Sequence, residues 1–311
     1  MPEFIPAYVK LAEKNELQKR VKIAYQRLSD CNICAWSCNI NRIEGELGIC
    51  KTGEFARVSS YGPHMGEEDP LRGRYGSGTI FFSRCNLRCQ FCQNHDISQI
   101  DAGRLVKPED IAAMMLELQS RGCHNINFVS PSHVVPQILA GVQAAARTGL
   151  QIPLVYNTGG YDALETLELL DGVIDIYMPD MKYSGPKIAR RYSKIPNYPK
   201  VNQTAVKEMH RQVGDLKLDR YGIAQRGLLV RHLILPGGVA GTEKIVRFLA
   251  EEISQNTYLN LMDQYRPAYN ARQYPVLSRP IKMKEYQEAV QMAIDAGLKR
   301  LDERKPIYTI I

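Results

Sequence analysis

Apolar and polar residues along this chain follow two rhythms. From Gly78 onward, short apolar runs of strand length alternate with longer stretches in which apolar positions return every three or four residues. Strands are expected at 79–83, 125–129, 153–157, 173–178, 228–235 and 258–262. Helices are expected between them at 108–119, 134–148, 162–170, 205–214 and 242–253, with 284–296 after the last strand. Thr242 and Pro108 stand where helices begin and Gly149 where one ends, as these residue types prefer. Strands alternating with helices predict an α/β protein with a parallel sheet. Six βα units are fewer than the eight of a closed barrel, so the expected architecture is an open, partial (β/α)6 barrel of the TIM type.

The text before residue 79 differs. Residues 7–28, rich in Lys, Glu, Leu and Ala, predict one amphipathic helix. Residues 31–78 carry ten glycines and prolines, four cysteines and no sustained period, which suggests a loop-rich module held by something other than an apolar core. A metal is the natural candidate. The chain therefore divides into 1–78, an N-terminal helix with a four-cysteine module, and 79–311, the partial barrel with a C-terminal extension.

Composition narrows the class. With 311 residues, 44% hydrophobic and 23% charged, the chain is an ordinary globular one, neither disordered nor collagen-like. It has no run of eighteen apolar residues and no apolar core behind a basic start in residues 1–10, so neither a membrane span nor a secretory leader is expected, and a cytoplasmic location follows. The net charge of +7 is spread without a dense basic block, so no nucleic-acid or membrane partner is expected. Cysteine placement says more. Seven of the eight cysteines fall between Cys31 and Cys92, and only Cys123 lies beyond. In a reducing compartment such clusters are metal ligands before they are disulfides.

Cys85, Cys89 and Cys92 sit in SRCNLRCQFCQN, directly after the first expected barrel strand. That is the carboxyl end of a strand, where barrel enzymes build active sites. Three thiolates on one tight loop can hold three irons of a 4Fe-4S cubane and leave the fourth iron open to a substrate or cofactor. The alternatives are zinc with His95 as a fourth ligand, or reduced surface cysteines. In the other set, Cys31, Cys34, Cys38 and Cys50 are spaced by two, three and eleven residues in CNICAWSCNINRIEGELGIC. Four thiolates there suit a structural zinc or a second, auxiliary 4Fe-4S cluster that relays electrons, with two disulfides as the alternative.

The three-then-two spacing of Cys85, Cys89 and Cys92, with aromatic Phe91 just before the last cysteine, resembles the signature of the radical S-adenosylmethionine (SAM) superfamily. The resemblance implies an iron–sulfur enzyme in which the open iron chelates the methionyl group of SAM. One electron then cleaves the S–C5′ bond, giving a 5′-deoxyadenosyl radical that abstracts hydrogen. The stretch GEEDPLRGRYGSGTIFFSRCNLRCQFCQNHDIS resembles more closely the pyruvate formate-lyase activating enzyme group and its PflX-like branch, over residues 31 to about 267. That implies either activation of a glycyl-radical enzyme partner or radical modification of a small metabolite, peptide or cofactor precursor. It also implies an electron donor such as flavodoxin or ferredoxin. A non-enzymatic iron–sulfur or zinc-binding protein is the remaining class.

Carried over residue by residue, the resemblance places Asn157 in VYNTGGY in the cofactor-binding part of the barrel, and Asp180 and Lys182 in MPDMKY at the methionyl ammonium and carboxylate. The chain departs from the family's Gly-Gly-Glu after the second barrel strand, reading VSPSHVVPQ, so Ser130, Ser132 and His133 stand at the methionyl amino position or cap the following helix. Alternation along the fifth barrel strand sends one of Arg231 and His232 inward, and Arg231 is assigned to the cofactor side. Gln264 and Arg266 would reach the same rim, and Tyr177 is core or rim. His64, Glu67 and Glu68 in YGPHMGEEDP read as a substrate-facing, metal-binding or solvated polar loop, and Cys123 as a buried, inert thiol.

Overall fold

The computed structural model describes residues 4–303; residues 1–3 and the end of the expected C-terminal extension, 304–311, lie outside it. The strands are β1 Ala56–His64, β2 Ser77–Phe82, β3 Arg104–Val106, β4 Ile126–Val129, β5 Leu154–Thr158, β6 Ile176–Pro179, β7 Lys217–Leu218, β8 Ala224–Leu233, β9 Tyr258–Met262 and β10 Arg300–Leu301. They form one sheet in the order β10-β9-β8-β6-β5-β4-β2-β1-β3, with β7 paired to β8. The six strands expected from the apolar runs, β2, β4, β5, β6, β8 and β9, are consecutive parallel neighbours. This is an α/β fold with a mostly parallel sheet, as the alternating pattern predicts. Antiparallel β1 and β3 extend it at one edge.

The helices are α1 Ala7–Glu13, α2 Glu16–Gln26, α3 Asp69–Arg72, α4 His95–Ser98, α5 Pro108–Ser120, α6 Val135–Arg147, α7 Leu164–Leu170, α8 Pro186–Ser193, α9 Tyr198–Val213, α10 Thr242–Phe248 and α11 Met283–Asp295. Three corrections to the sequence reading arise here. The single helix over 7–28 is two, broken at Asn15, which takes the left-handed conformation (φ 57°) that asparagine tolerates. Residues 56–64, read as part of a loop, form β1; Ser59, Ser60 and Gly62 dilute its apolar signal, because this strand lies near the sheet's edge. α8 precedes α9 where a single shorter helix was expected. A boundary at residue 78 would fall inside β2, and β1 pairs with that strand. Among the described residues, no helix is long and apolar enough to cross a membrane.

Side chains alternate between two cores, as the strand period of two requires. Phe128, Tyr156, Tyr177 and Leu228 pack under the outer helices, whereas Val155, Ile176, Met178 and Leu229 fill the inside of the curved sheet. Each buried side chain of this size contributes about 1.5–3 kcal/mol. The first two helices lie against α6. They are tied down by Tyr8 Oη donating to Ile152 O at 3.0 Å and by Ala7 N donating to Asp175 Oδ1 at 2.9 Å.

Among the described residues the sheet does not close on itself, and residues 65–76 bridge what it leaves open. β1 runs antiparallel to β2, so His64 ends beside Ser77 at the amino end of the parallel strands. From there Leu71 enters the inner core, and Asn125 Nδ2 donates to its carbonyl at 2.8 Å. Glu68 reaches across to Arg231 on β8 and Asn260 on β9. The polar turn expected at 64–68 is thus a plug with buried carboxylates.

Candidate functional site

The loop that leaves β2 carries Cys85, Cys89 and Cys92 at the carboxyl end of the first parallel strand. Cys85 and Cys89 are buried and Cys92 is partly exposed. The loop is held in place by the end of α8: Gln90 N donates to Tyr192 O at 2.7 Å and Arg88 N to Ser193 O at 3.2 Å. Each sulfur also has a hydrogen-bond partner. Ser193 Oγ donates to Cys89 Sγ at 2.9 Å, Leu87 N reaches Cys85 Sγ at 3.4 Å, and Ser98 Oγ lies 3.1 Å from Cys92 Sγ. Burial pushes the Cys89 thiol up to about 12, with Cys92 and Cys85 adding to the rise and the Lys182 charge opposing it. Burial likewise raises Cys85, with Cys92 adding. Phe91 packs edge-on against Tyr183 and Tyr265, at 6.4 and 5.9 Å between centroids, in a third apolar core around the loop.

Beneath the loop, charges alternate down the barrel. Lys182 Nζ pairs with Asp180 Oδ2 at 2.5 Å. Burial disfavours the Lys182 charge, but Asp180 and Cys89 outweigh it and keep the ammonium protonated. Asp180 lies beside Arg231 through the parallel bridge between their strands. Arg231 in turn donates from Nε and Nη2 to Glu68, at 2.7 and 2.5 Å, and from Nη2 to Glu67. Burial pushes the Glu67 carboxyl up, but the charge and hydrogen bond of Arg231, with His64 Nδ1 3.5 Å away, outweigh it and hold the group well below the usual carboxylate range. α9 fixes the level of Asp180: Tyr198 Oη and Asn202 Nδ2 both donate to its carbonyl at 3.0 Å. Gly160 (φ 74°) is required there, because a Cβ would stand 2.4 Å from that carbonyl.

The other sequence candidates fall in different places. Asn157 and Ser130 meet at the end of β5, where Ser130 N donates to Asn157 O at 3.0 Å and Ser130 takes a left-handed conformation (φ 58°). Ser132 Oγ is 2.8 Å from Thr158 Oγ1, which donates to the buried Asp162. The His133 ring lies 3.1 Å from Ser83 O through Nε2, its Nδ1 is buried without a partner among the described residues, and burial drives its pKa down to about 3. His232 points outward between Met181 O and Thr242, and burial holds it neutral with a pKa of about 4. Tyr177 is core, with Oη donating to Gln212 at 2.6 Å. Gln264 lies across the cysteine loop, its carbonyl accepting from Gln93 Nε2 at 2.9 Å. Cys123 is buried. One inward residue escaped the sequence reading: Asn127 on β4, fully buried, with both amide atoms unpartnered among the described residues. A buried amide without a protein partner is the kind of group a ligand or water satisfies. Its signal was a single polar residue inside INFV.

The first cysteine set is docked onto this loop. The carbonyls on either side of Cys50 accept from its arginines, Ile49 O from Arg88 and Lys51 O from Arg84. Trp36, between Cys34 and Cys38, donates from Nε1 to Asn86 O at 2.6 Å. Burial raises the Cys34 thiol, and Cys50, Cys31 and Cys38 add to it, so the four lie within each other's electrostatic reach. Arg42 is 1% exposed, yet among the described residues it meets no carboxylate. Its donors face Gly53 O, His133 O and, at 3.8 Å, Cys31 Sγ. Among the described residues, no three His, Cys, Asp or Glu side chains stand ready as a single-ion ligand set.

Comparison with known proteins places the chain. Residues 79–249 match the radical SAM superfamily. The chain is 32% identical over 287 residues to an uncharacterized protein of Methanocaldococcus jannaschii, MJ0674, covering 90% of this chain and 78% of that one. It is 24% identical over 307 residues to a second uncharacterized protein of that organism, MJ0808, covering 90% and 83%. A radical SAM methyltransferase from Sphaerobacter thermophilus aligns with a TM-score of 0.47 and 14% identity, over 73% of this chain and 65% of that one, so the chain spans just under two thirds of its length. With a superfamily match across more than half of its length and a relative 32% identical along 90% of it, this chain belongs to the radical SAM superfamily.

Proposed function

We propose that this chain is a radical SAM enzyme whose catalytic cluster is held by Cys85, Cys89 and Cys92. Membership in the superfamily implies a 4Fe-4S cluster and SAM. The observation that carries the residue assignment is the donor set: three thiols on one loop at a strand's carboxyl end, each with a hydrogen-bond partner at its sulfur, above a Lys182–Asp180 pair. Three thiolates suit a cubane with one open iron. When bound, the cluster and SAM supply reductive cleavage of the S–C5′ bond and a radical that abstracts hydrogen. The chain's residues do the positioning. Lys182 holds the methionyl carboxylate and Asp180 the ammonium, at a level fixed by Tyr198 and Asn202. Asn157, Ser130 and the unpartnered Asn127 supply neutral polar atoms around the bound molecule, and Arg231 stays charged while clamped by Glu67 and Glu68. Phe91 and the tyrosines about the loop exclude water.

The first cysteine set is read as a closed metal centre, zinc or an auxiliary cluster. Arg42 supports this: a buried guanidinium without a carboxylate is costly, and thiolates carrying net negative charge would supply its counter-ion. For the target, the chain's resemblance to activating enzymes points to a glycyl-radical partner. The segment after β9 favours the second reading, a small metabolite, peptide or cofactor precursor. That segment lies over the cysteine loop, where Tyr269 stacks on His95 at 5.2 Å and Asn270 bonds Gln90 at 3.2 Å, which narrows the rim a partner's loop would need.

The test is anaerobic reconstitution followed by reduction with dithionite in the presence of SAM. Wild type should release 5′-deoxyadenosine, and Cys89→Ala should lose both the cluster and the cleavage. A full cluster with no 5′-deoxyadenosine would sink the enzyme reading. A glycyl radical seen by electron paramagnetic resonance after mixing with a candidate partner would decide for activation. Iron and zinc analysis of the Cys85, Cys89, Cys92 triple alanine variant identifies the metal of the first set.

A further inference from the structure

The seam between the two cysteine sets opens onto the surface as a groove. Its two lobes, about 240 and 90 Å³, share Lys51 and Arg84 as walls. Along it Leu47, Leu105 and Ile100 are each 58% exposed, and such clustering of large apolar side chains marks an interaction surface. Lys51, Arg57, Arg84 and Arg88 line the groove against only Glu54 and Asp101, a local excess of two positive charges. The smaller lobe reaches Ser98, whose Oγ is 3.1 Å from the sulfur of Cys92, the triplet cysteine that is partly exposed.

We propose that this groove is the docking site of a small acidic one-electron carrier protein, of the flavodoxin or ferredoxin kind, which reduces the centre held by the triplet. The proposal rests on the functional reading above and adds where the electron enters. Three properties select this occupant. The basic lining attracts and steers an acidic surface. The apolar side chains give a short-lived contact something to bury, and electron-transfer encounters need less than about 1,200 Å². The groove includes Ser98, which touches Cys92, and Lys51, the chain neighbour of Cys50, so a carrier seated here meets one direct contact of the triplet and the residue beside the first set. The step is one electron, from the reduced carrier to the oxidised centre; the carrier is oxidised by one electron, and no bond forms or breaks.

The experiment follows bleaching of the cluster absorbance in stopped flow, with reconstituted full-length protein and photoreduced bacterial flavodoxin as the probe. The Leu47→Glu/Leu105→Glu variant removes apolar area and cancels the local charge excess. It should be reduced by flavodoxin about tenfold more slowly at low ionic strength, with the gap closing as salt is added. Leu47→Lys/Leu105→Lys removes the same apolar area with the opposite charge and should be slowed less. Dithionite, which needs no docking, should reduce all three proteins at one rate. The proposal is overturned if the Glu pair reacts with flavodoxin at the wild-type rate or if both variants slow equally. It is likewise overturned if dithionite reduction slows in parallel, or if wild type accepts electrons from dithionite but not from flavodoxin. Wild type that gives no 5′-deoxyadenosine even with dithionite would bring down the functional reading itself, and this proposal with it.

Discussion

Replacing Glu68 with alanine tests whether the plug at 65–76 holds the open side of the barrel. Glu68 is 1% exposed and accepts from Arg231 Nε at 2.7 Å, Arg231 Nη2 at 2.5 Å and Asn260 Nδ2 at 2.6 Å. Breaking a buried ion pair from one side costs about 3–5 kcal/mol, because the remaining charge stays buried. Two features modify that figure. Glu67 still accepts from Arg231, which softens the loss, whereas the orphaned Asn260 donor adds about 1–3 kcal/mol. The two act in opposite directions, so about 3–5 kcal/mol stands as the expected loss. For 311 residues an unfolding entropy of about 2.1 cal/mol/K per residue gives roughly 0.65 kcal/mol/K, so the melting temperature should fall by about 5–8 °C. Scanning calorimetry of wild type and variant in the same cofactor state measures it. Glu67→Ala should cost less, since Glu67 has one Arg231 nitrogen and His64 as partners. A Glu68→Ala drop of under about 1 °C, or a larger drop for Glu67→Ala, would refute the clamp.

Three further outcomes are expected. Ser193→Ala removes the hydroxyl donor from Cys89 Sγ. Losing a hydrogen bond worth about 0.5–1.5 kcal/mol to the oxidised-minus-reduced balance should lower the cluster potential by about 20–60 mV, read by redox titration; an unchanged potential contradicts it. Burial raises the Asp175 carboxyl to about 7, above its unfolded value near 3.9, so the folded state holds the extra proton between those values. Stability from this group is present below the unfolded value and lost as pH rises through about 7, so the margin of wild type over Asp175→Asn should shrink from pH 5.5 to 8; a widening margin in thermal melts contradicts the assignment. Gly160→Ala should displace the Asp180 carbonyl and weaken SAM binding at least about tenfold by calorimetry, since its Cβ would stand 2.1 Å from Asn202 Nδ2 and 2.4 Å from that carbonyl; wild-type affinity would show that the segment yields.

The barrel was legible because its strands are buried on both faces and so read as unbroken apolar runs. INFV, LVYNT and YLNLM each carry enough β-branched, aromatic and aliphatic residues to announce a strand. β1 did not, since an edge-side strand with Ser59, Ser60 and Gly62 has little apolar content to display. The cysteine spacing and the MPDMKY charge pair are local signals that a sequence exposes directly. The buried state of Glu67 and Glu68 is not local. Two adjacent glutamates in a Gly/Pro-flanked turn read as solvated, and only the arrival of Arg231, 163 residues later, makes burial affordable in charge terms. Arg42 was equally silent, because its partners are carbonyls and a sulfur, and neither gives a charge pattern in sequence.

The span of the Glu68 contacts also sets an order on the life of each new chain. Glu68 waits for Asn260, 192 residues further on. At about 5–20 residues per second of synthesis the plug's carboxylates face water for roughly 10–40 s before their partners exist. During that interval the cysteine loop, made shortly after Glu68, stands exposed without the strands that later enclose it. On the assignment proposed for this loop, a chain truncated before Asn260 would present its thiols on an unclosed barrel.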